Sequence, residues 1–119
     1  MNEKTKDVHE RIYQFVIRVL RFVGKLPKIF ANLQILGQLI RSVTSMGAND
    51  QEANGTYTKA DFVHCYTIVR KEGNESMFWI RLLGDINTGY RKESEELIAE
   101  GDEIVRIVST IVYNTKKHS

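Results

Sequence analysis

Residues 68–79 read IVRKEGNESMFW, and the Gly73-Asn74 pair in the middle of them decides the fold. Glycine next to asparagine often marks a turn, so one reading breaks the chain there into two short elements. The flanking residues favour another. Phe62, Tyr66, Val69, Gly73, Ser76, Ile80 and Leu83 are spaced alternately four and three apart, which is the repeat of one helical face. A turn at Gly73 would give Val69 and Ser76 no reason to stay in phase. The spacing therefore predicts one helix over 59–84, with a kink or break at Gly73 as the competing reading. Glycine inside that helix costs about 1 kcal/mol relative to alanine, and close approach of a neighbouring helix over Gly73 and Ser76 offsets it. Thr58 stands three residues before Asp61, so its hydroxyl can accept from a first-turn N–H while the Asp61 carboxylate favours the positive helix end.

Outward from this stretch the chain is punctuated three times. Pro27 lacks an N–H and turns its predecessor away from helical angles. NGTYT at 54–58 and GDINTG at 84–89 cluster turn residues between periodic segments. Four segments result, over about 7–25, 29–53, 59–84 and 93–116. The first carries an apolar stripe of Val8, Ile12, Phe15, Val19, Phe22 and Leu26. The second stripe is Ile29, Leu33, Leu36, Ile40, Val43 and Gly47, and the fourth is Leu97, Gly101, Ile104, Val108, Ile111 and Thr115, widened by Ile98, Val105 and Val112. No stretch alternates at period two. Four amphipathic helices on short connections predict an all-α, antiparallel up-down-up-down four-helix bundle, one domain over 1–119. Tyr13, Val16, Leu20 and Val23, with Phe78 and Trp79, form a second apolar flank. It is either a subunit interface or a widened core.

Composition bounds the function. A chain that is 42% hydrophobic and 27% charged has the make-up of an ordinary globular domain rather than a disordered one. Arg18 and Arg21 interrupt its most apolar stretch, so no membrane span or signal peptide is expected and the cytoplasm is the expected location. Cys65, the sole cysteine, has no disulfide partner within the chain and reads as a small buried thiol.

The net charge of +2 conceals an asymmetry. Residues 1–49 hold eight Lys and Arg against three acids, and residues 50–119 hold nine against twelve. No acidic residue occurs between Arg11 and Asn49. Arg11, Arg18, Arg21, Lys25 and Lys28 recur at helical spacing, which reads as a basic face opposite the first apolar stripe. Such a stripe is the footprint expected for contact with a phosphate backbone. Its competing reading is a solvated face, or one paired with the acidic fourth segment ESEELIAEGDE of the same or a neighbouring subunit.

Catalytic patterns are sparse. A di-metal bundle needs Glu-x-x-His pairs, and none of His9, His64 and His118 has a glutamate three positions before it. Asp61 and His64 make one Asp-x-x-His pair, with Asp61 better explained as a cap. His64 and Cys65 are neighbours in sequence and diverge by about 100° on a helix. Glu72 and Glu75 read as structural carboxylates, paired with Arg70, Arg81 or a basic residue of another helix. No cofactor or metal is expected, and no enzyme.

TKADFVHCYTIVRKEGNESMFWIRLL (58–83) resembles the third helix of the four-helix bundle family associated with intervening sequences of bacterial 23S rRNA genes. Asp61, Phe62, Lys71, Glu72, Asn74, Glu75, Trp79, Leu82 and Leu83 carry the likeness, and Gly73 stands where alanine is usual. LQILGQLIRSVTSMGANDQEANG (33–55) is similar to the family's second helix through Arg41, Ser45, Ala48, Asn49 and Glu52, with Met46 and Gly47 in place of Ile-Pro. EIVRIVSTIVYNTKK (103–117) is similar to the closing helix. The resemblance implies a homopentameric barrel without established catalytic residues. It also implies kinship with the accessory protein of diversity-generating retroelements, a more basic branch that binds nucleic acid and a reverse transcriptase. The expected function is that of a non-enzymatic oligomeric accessory protein touching RNA or DNA through Arg11, Arg18, Arg21, Lys25 and Lys28. The alternative is an oligomeric scaffold that binds a protein partner and no nucleic acid.

Overall fold

The computed structural model describes residues 7–118. Four helices run α1 (Val8–Lys25), α2 (Phe30–Ala53), α3 (Lys59–Ile86) and α4 (Arg91–Lys117), and a 3-10 turn, Thr88–Tyr90, leads into α4. They form an all-α bundle of 48 × 30 × 19 Å. No helix among the described residues is long and apolar enough to cross a membrane.

Helix α3 is continuous through the Gly-Asn pair, because Gly73 and Ser76 lie on its buried face. A Cβ on Gly73 would meet Val105 Cγ2 of α4 at 2.9 Å and Met46 Cε of α2 at 3.2 Å. Alanine's helical advantage is thus set against contact with two side-chain tips. The N-terminus of α3 is capped as its sequence suggests, with Thr58 Oγ1 accepting from the Asp61 N–H at 3.1 Å. Asp7 caps α1 less closely, accepting from the His9 N–H at 3.4 Å. At the far end of α3, Gly84 packs on Ser94, whose Oγ donates to the Ile80 carbonyl at 2.9 Å.

The core draws on all four helices, with Ile12, Phe15, Val19 and Phe22 from α1 and Leu97, Ile104 and Val108 from α4 at its centre. Helices α1, α3 and α4 bury the stripes that their spacing indicates. Helix α2 does not. Ile29, Leu33 and Ile40 of its expected stripe are 56%, 49% and 40% exposed. The face it buries is Asn32, Leu36, Leu39, Ser42, Val43, Met46, Asp50 and Ala53, turned about 80° from the apolar stripe at 100° per residue.

Buried polar pairs account for this rotation. Ser42 Oγ lies 2.8 Å from Ser76 Oγ, and the Tyr66 hydroxyl donates to Asp50 Oδ1 at 2.7 Å. Asn32 and Asn87 exchange two amide hydrogen bonds of 2.9 Å, and Asn32 also donates to the Pro27 carbonyl. Turning Ile29, Leu33 and Ile40 inward would orphan these groups, each at about 1–3 kcal/mol.

Two substitutions separate close packing from helix propensity. Gly84→Ala puts a Cβ 2.5 Å from Ser94 Cβ, and the expected loss is about 1–3 kcal/mol, the usual range for overpacking. Gly73→Ala meets the flexible Met46 tip and one methyl of Val105, which is stiff at χ1, but gains about 1 kcal/mol of propensity, so its loss is expected to be smaller than that of Gly84→Ala. Urea midpoints of both variants check the order; a more damaging change at Gly73 would contradict it.

Candidate functional site

The five cations of the expected basic face have different fates. Arg11 is 4% exposed. Its Nη2 and Nε grip Glu100 at 2.7 and 3.2 Å, and Nη1 reaches Glu103 at 3.1 Å. These carboxylates, Glu100 first, push the guanidinium pKa further up. Lys25 Nζ holds both oxygens of Glu93 at 3.0 and 3.1 Å, and Lys28 Nζ donates to the Val23 and Leu26 carbonyls. Arg18 and Arg21 are exposed and have no partner among the described residues.

The basic stripe is therefore not opposite the apolar one. At 100° per residue, Arg11 sits only about 60° from the centre of the α1 stripe. It flanks the core on the side of α4, whose acidic segment lies antiparallel to α1. Arg11 and Lys25 of the acid-free run meet Glu93, Glu100 and Glu103 of α4 across one helix–helix contact.

A second ion pair joins α2 to α3. Arg41 binds Glu72 at 3.0 Å and also Glu75. Trp79 Nε1 donates to Glu75 at 3.1 Å. The Trp79 hydrogen bond, then Arg41, holds the Glu75 carboxyl below the usual range. The partner is a basic residue of another helix rather than Arg70 or Arg81. His64 is exposed while neighbouring Cys65 is buried, and burial, then Glu52 and Asp61, pushes the thiol pKa up. Among the described residues no three His, Cys, Asp or Glu side chains converge as metal ligands.

One constellation escaped the sequence reading. Asp50, 4% exposed, accepts at Oδ1 from the Tyr66 hydroxyl at 2.7 Å, and His9 Nδ1 lies 2.8 Å from the same oxygen. The three residues come from α1, α2 and α3 and are 41 and 16 positions apart, so no local motif links them. Burial, then the Asp50 hydrogen bond, pushes the Tyr66 phenol far up. The cluster borders a groove of about 300 Å³ between α1 and α2. Val16 packs over Gly47 in this groove, at 3.1 Å from where a Cβ would stand. Beyond it, the antiparallel register brings exposed Leu20 alongside the exposed face of α2.

Comparison with known proteins supplies the relation. The family model described as 23S rRNA-intervening sequence protein matches residues 4–110. The chain belongs to that family. A crystal structure of a protein of unknown function from the S23 ribosomal protein family of Bacteroides thetaiotaomicron has the same bundle. Its TM-score is 0.78 at 26% identity, over 89% of this chain and 98% of that one. No curated protein matches the chain. The family and its solved relative thus agree with the four-helix architecture built above.

Replacing Tyr66 by Phe removes one of the two donors on Asp50 Oδ1. The expected loss is about 1–3 kcal/mol. A raised phenol pKa stabilises the fold below the ordinary tyrosine value of about 10, and this contribution is lost as pH rises through the folded-state value. The difference between parent and variant should therefore be constant near neutrality and shrink above about pH 10. Urea unfolding at several pH values measures it, and no loss near neutrality would show that the bond contributes nothing.

Proposed function

We propose that this protein is a non-enzymatic interaction module acting as a homo-oligomer, whose protomers pack through the apolar face that α1 and α2 leave exposed. The outward stripe of α2 carries this reading. Ile29, Phe30, Leu33 and Ile40, with Tyr13 and Leu20 of α1, are all at least 38% exposed. A continuous apolar strip of this kind marks a contact site, and a small bundle gains stability when a copy covers it. The family resemblance supports five copies in a ring.

The double variant Leu33→Glu, Ile40→Glu tests assembly without touching the protomer core, since both side chains already face out. Light scattering should give a multiple of 13.7 kDa for the parent and the protomer mass for the variant. A parent at the protomer mass would overturn the reading.

A second reading keeps nucleic acid as a partner of the ring. Arg18 and Arg21 remain exposed and unpaired, and cyclic symmetry would repeat them and concentrate their potential. Arg18→Glu with Arg21→Glu should abolish binding to structured RNA and duplex DNA without unfolding the bundle. In the parent, log K should fall with log salt at about −0.9 per phosphate contact on duplex DNA. Absence of binding at low salt would leave a pure protein scaffold, with the exposed acids Glu95 and Glu96 of α4 available to a partner.

A further inference from the structure

We infer that the groove between α1 and α2 binds an organic cation, a guanidinium or primary ammonium carried on an apolar stem. Its walls are Ile12, Val16 and Gly47, and its polar end is formed by Asp50, His9 and Tyr13. The volume of about 300 Å³ suits a short stem and one charged head.

The charge of the occupant follows from Asp50. The side chain is 6% exposed. Both its donors, the Tyr66 hydroxyl and His9 Nδ1, lie on Oδ1. Oδ2 accepts no hydrogen bond from the described residues, although the carboxylate lines the groove. A carboxylate so deeply buried costs several kcal/mol unless its oxygens are met by donors or a positive charge. Oδ2 is not sealed from solvent, and the groove that Asp50 lines gives a ligand access to it.

The surroundings reinforce the sign. Asp50 lies in the last stretch of α2, where the helix end is negative. The 61% exposed Tyr13 ring offers a π face to a cation. Asp7 is close enough to push the Tyr66 hydroxyl up. No lysine or arginine lines the groove, and the nearest on α1, Arg11, is held by Glu100 and Glu103. An anion would be repelled here, and a purely apolar ligand would leave Oδ2 unmet.

The same head group could come from a free amine or from an arginine side chain of a neighbouring copy, for which the exposed and unpaired Arg18 and Arg21 of α1 are the candidates tested. The probe is n-butylguanidinium, titrated against the full chain while the His9 and Tyr13 ring resonances are followed by NMR, with uncharged n-butylurea as control. Saturable shifts are expected with a Kd of about 1 mM, roughly 4 kcal/mol of binding, and butylurea at least tenfold weaker. Asp50→Asn keeps the shape and should weaken binding at least tenfold. Ala48→Leu fills the groove from its exposed rim, leaves the Tyr66–Asp50 bond intact and should do the same.

If the parent is silent but the Arg18→Ala, Arg21→Ala variant binds the probe, the occupant is a neighbour's arginine and the inference stands. Silence in both, equal binding of butylurea, or unchanged binding in Asp50→Asn and Ala48→Leu would overturn it. Light scattering on the same samples keeps the two proposals apart, since a monomer that binds the probe contradicts only the assembly.

Discussion

The rotation of α2 is the constraint on which the rest depends. Three polar contacts, Ser42 with Ser76, Asp50 with Tyr66 and Asn32 with Asn87, run along the buried face of α2 and meet their partners on α3 or just beyond its end. Hydrogen bonds are directional in a way that apolar contacts are not. An apolar seam tolerates a helix turned by a few tens of degrees, whereas a hydroxyl or amide turned that far loses its partner and stays dry. These pairs therefore set the register, and apolar side chains take whatever faces remain. On α2 that places Ile29, Leu33 and Ile40 outside.

Charge follows the same geometry. Each long basic side chain beside the core finds the nearest carboxylate along an antiparallel neighbour. Arg11 and Lys25 reach α4, and Arg41 reaches α3. Pairs in which one partner is half exposed, such as Lys25 with Glu93, contribute little stability singly. They do decide which cations are left over. After pairing, α1 and α2 keep an exposed apolar strip, the unpaired Arg18 and Arg21, and the groove that Asp50 lines. Assembly and the cation site draw on these two helices.

Much of the fold was legible in the sequence because a helix repeats its environment every three or four residues. The phase of Val69, Gly73 and Ser76 was enough to show that α3 does not break. Thr58 and Asp61 announced its start, since a cap is a local contact. The candidate site was less legible. Arg11 looked like part of an external stripe because spacing fixes only angle around a helix, and a residue about 60° from the core centre can be sealed or open depending on what lies beside it. His9, Asp50 and Tyr66 carried no signal at all, being brought together from three helices.

By itself, then, the sequence determined which segments are helical, where they begin and end, and the faces that α1, α3 and α4 turn inward. These are properties of one chain segment at a time, set by periodicity, capping and turn chemistry. Tertiary structure alone decided the rotation of α2, the pairing of Arg11 with Glu100 and Glu103, and the assembly of the Asp50 cluster. Each depends on whether a polar group finds a partner on another helix, and that is a question of distance in space which spacing along the chain does not encode.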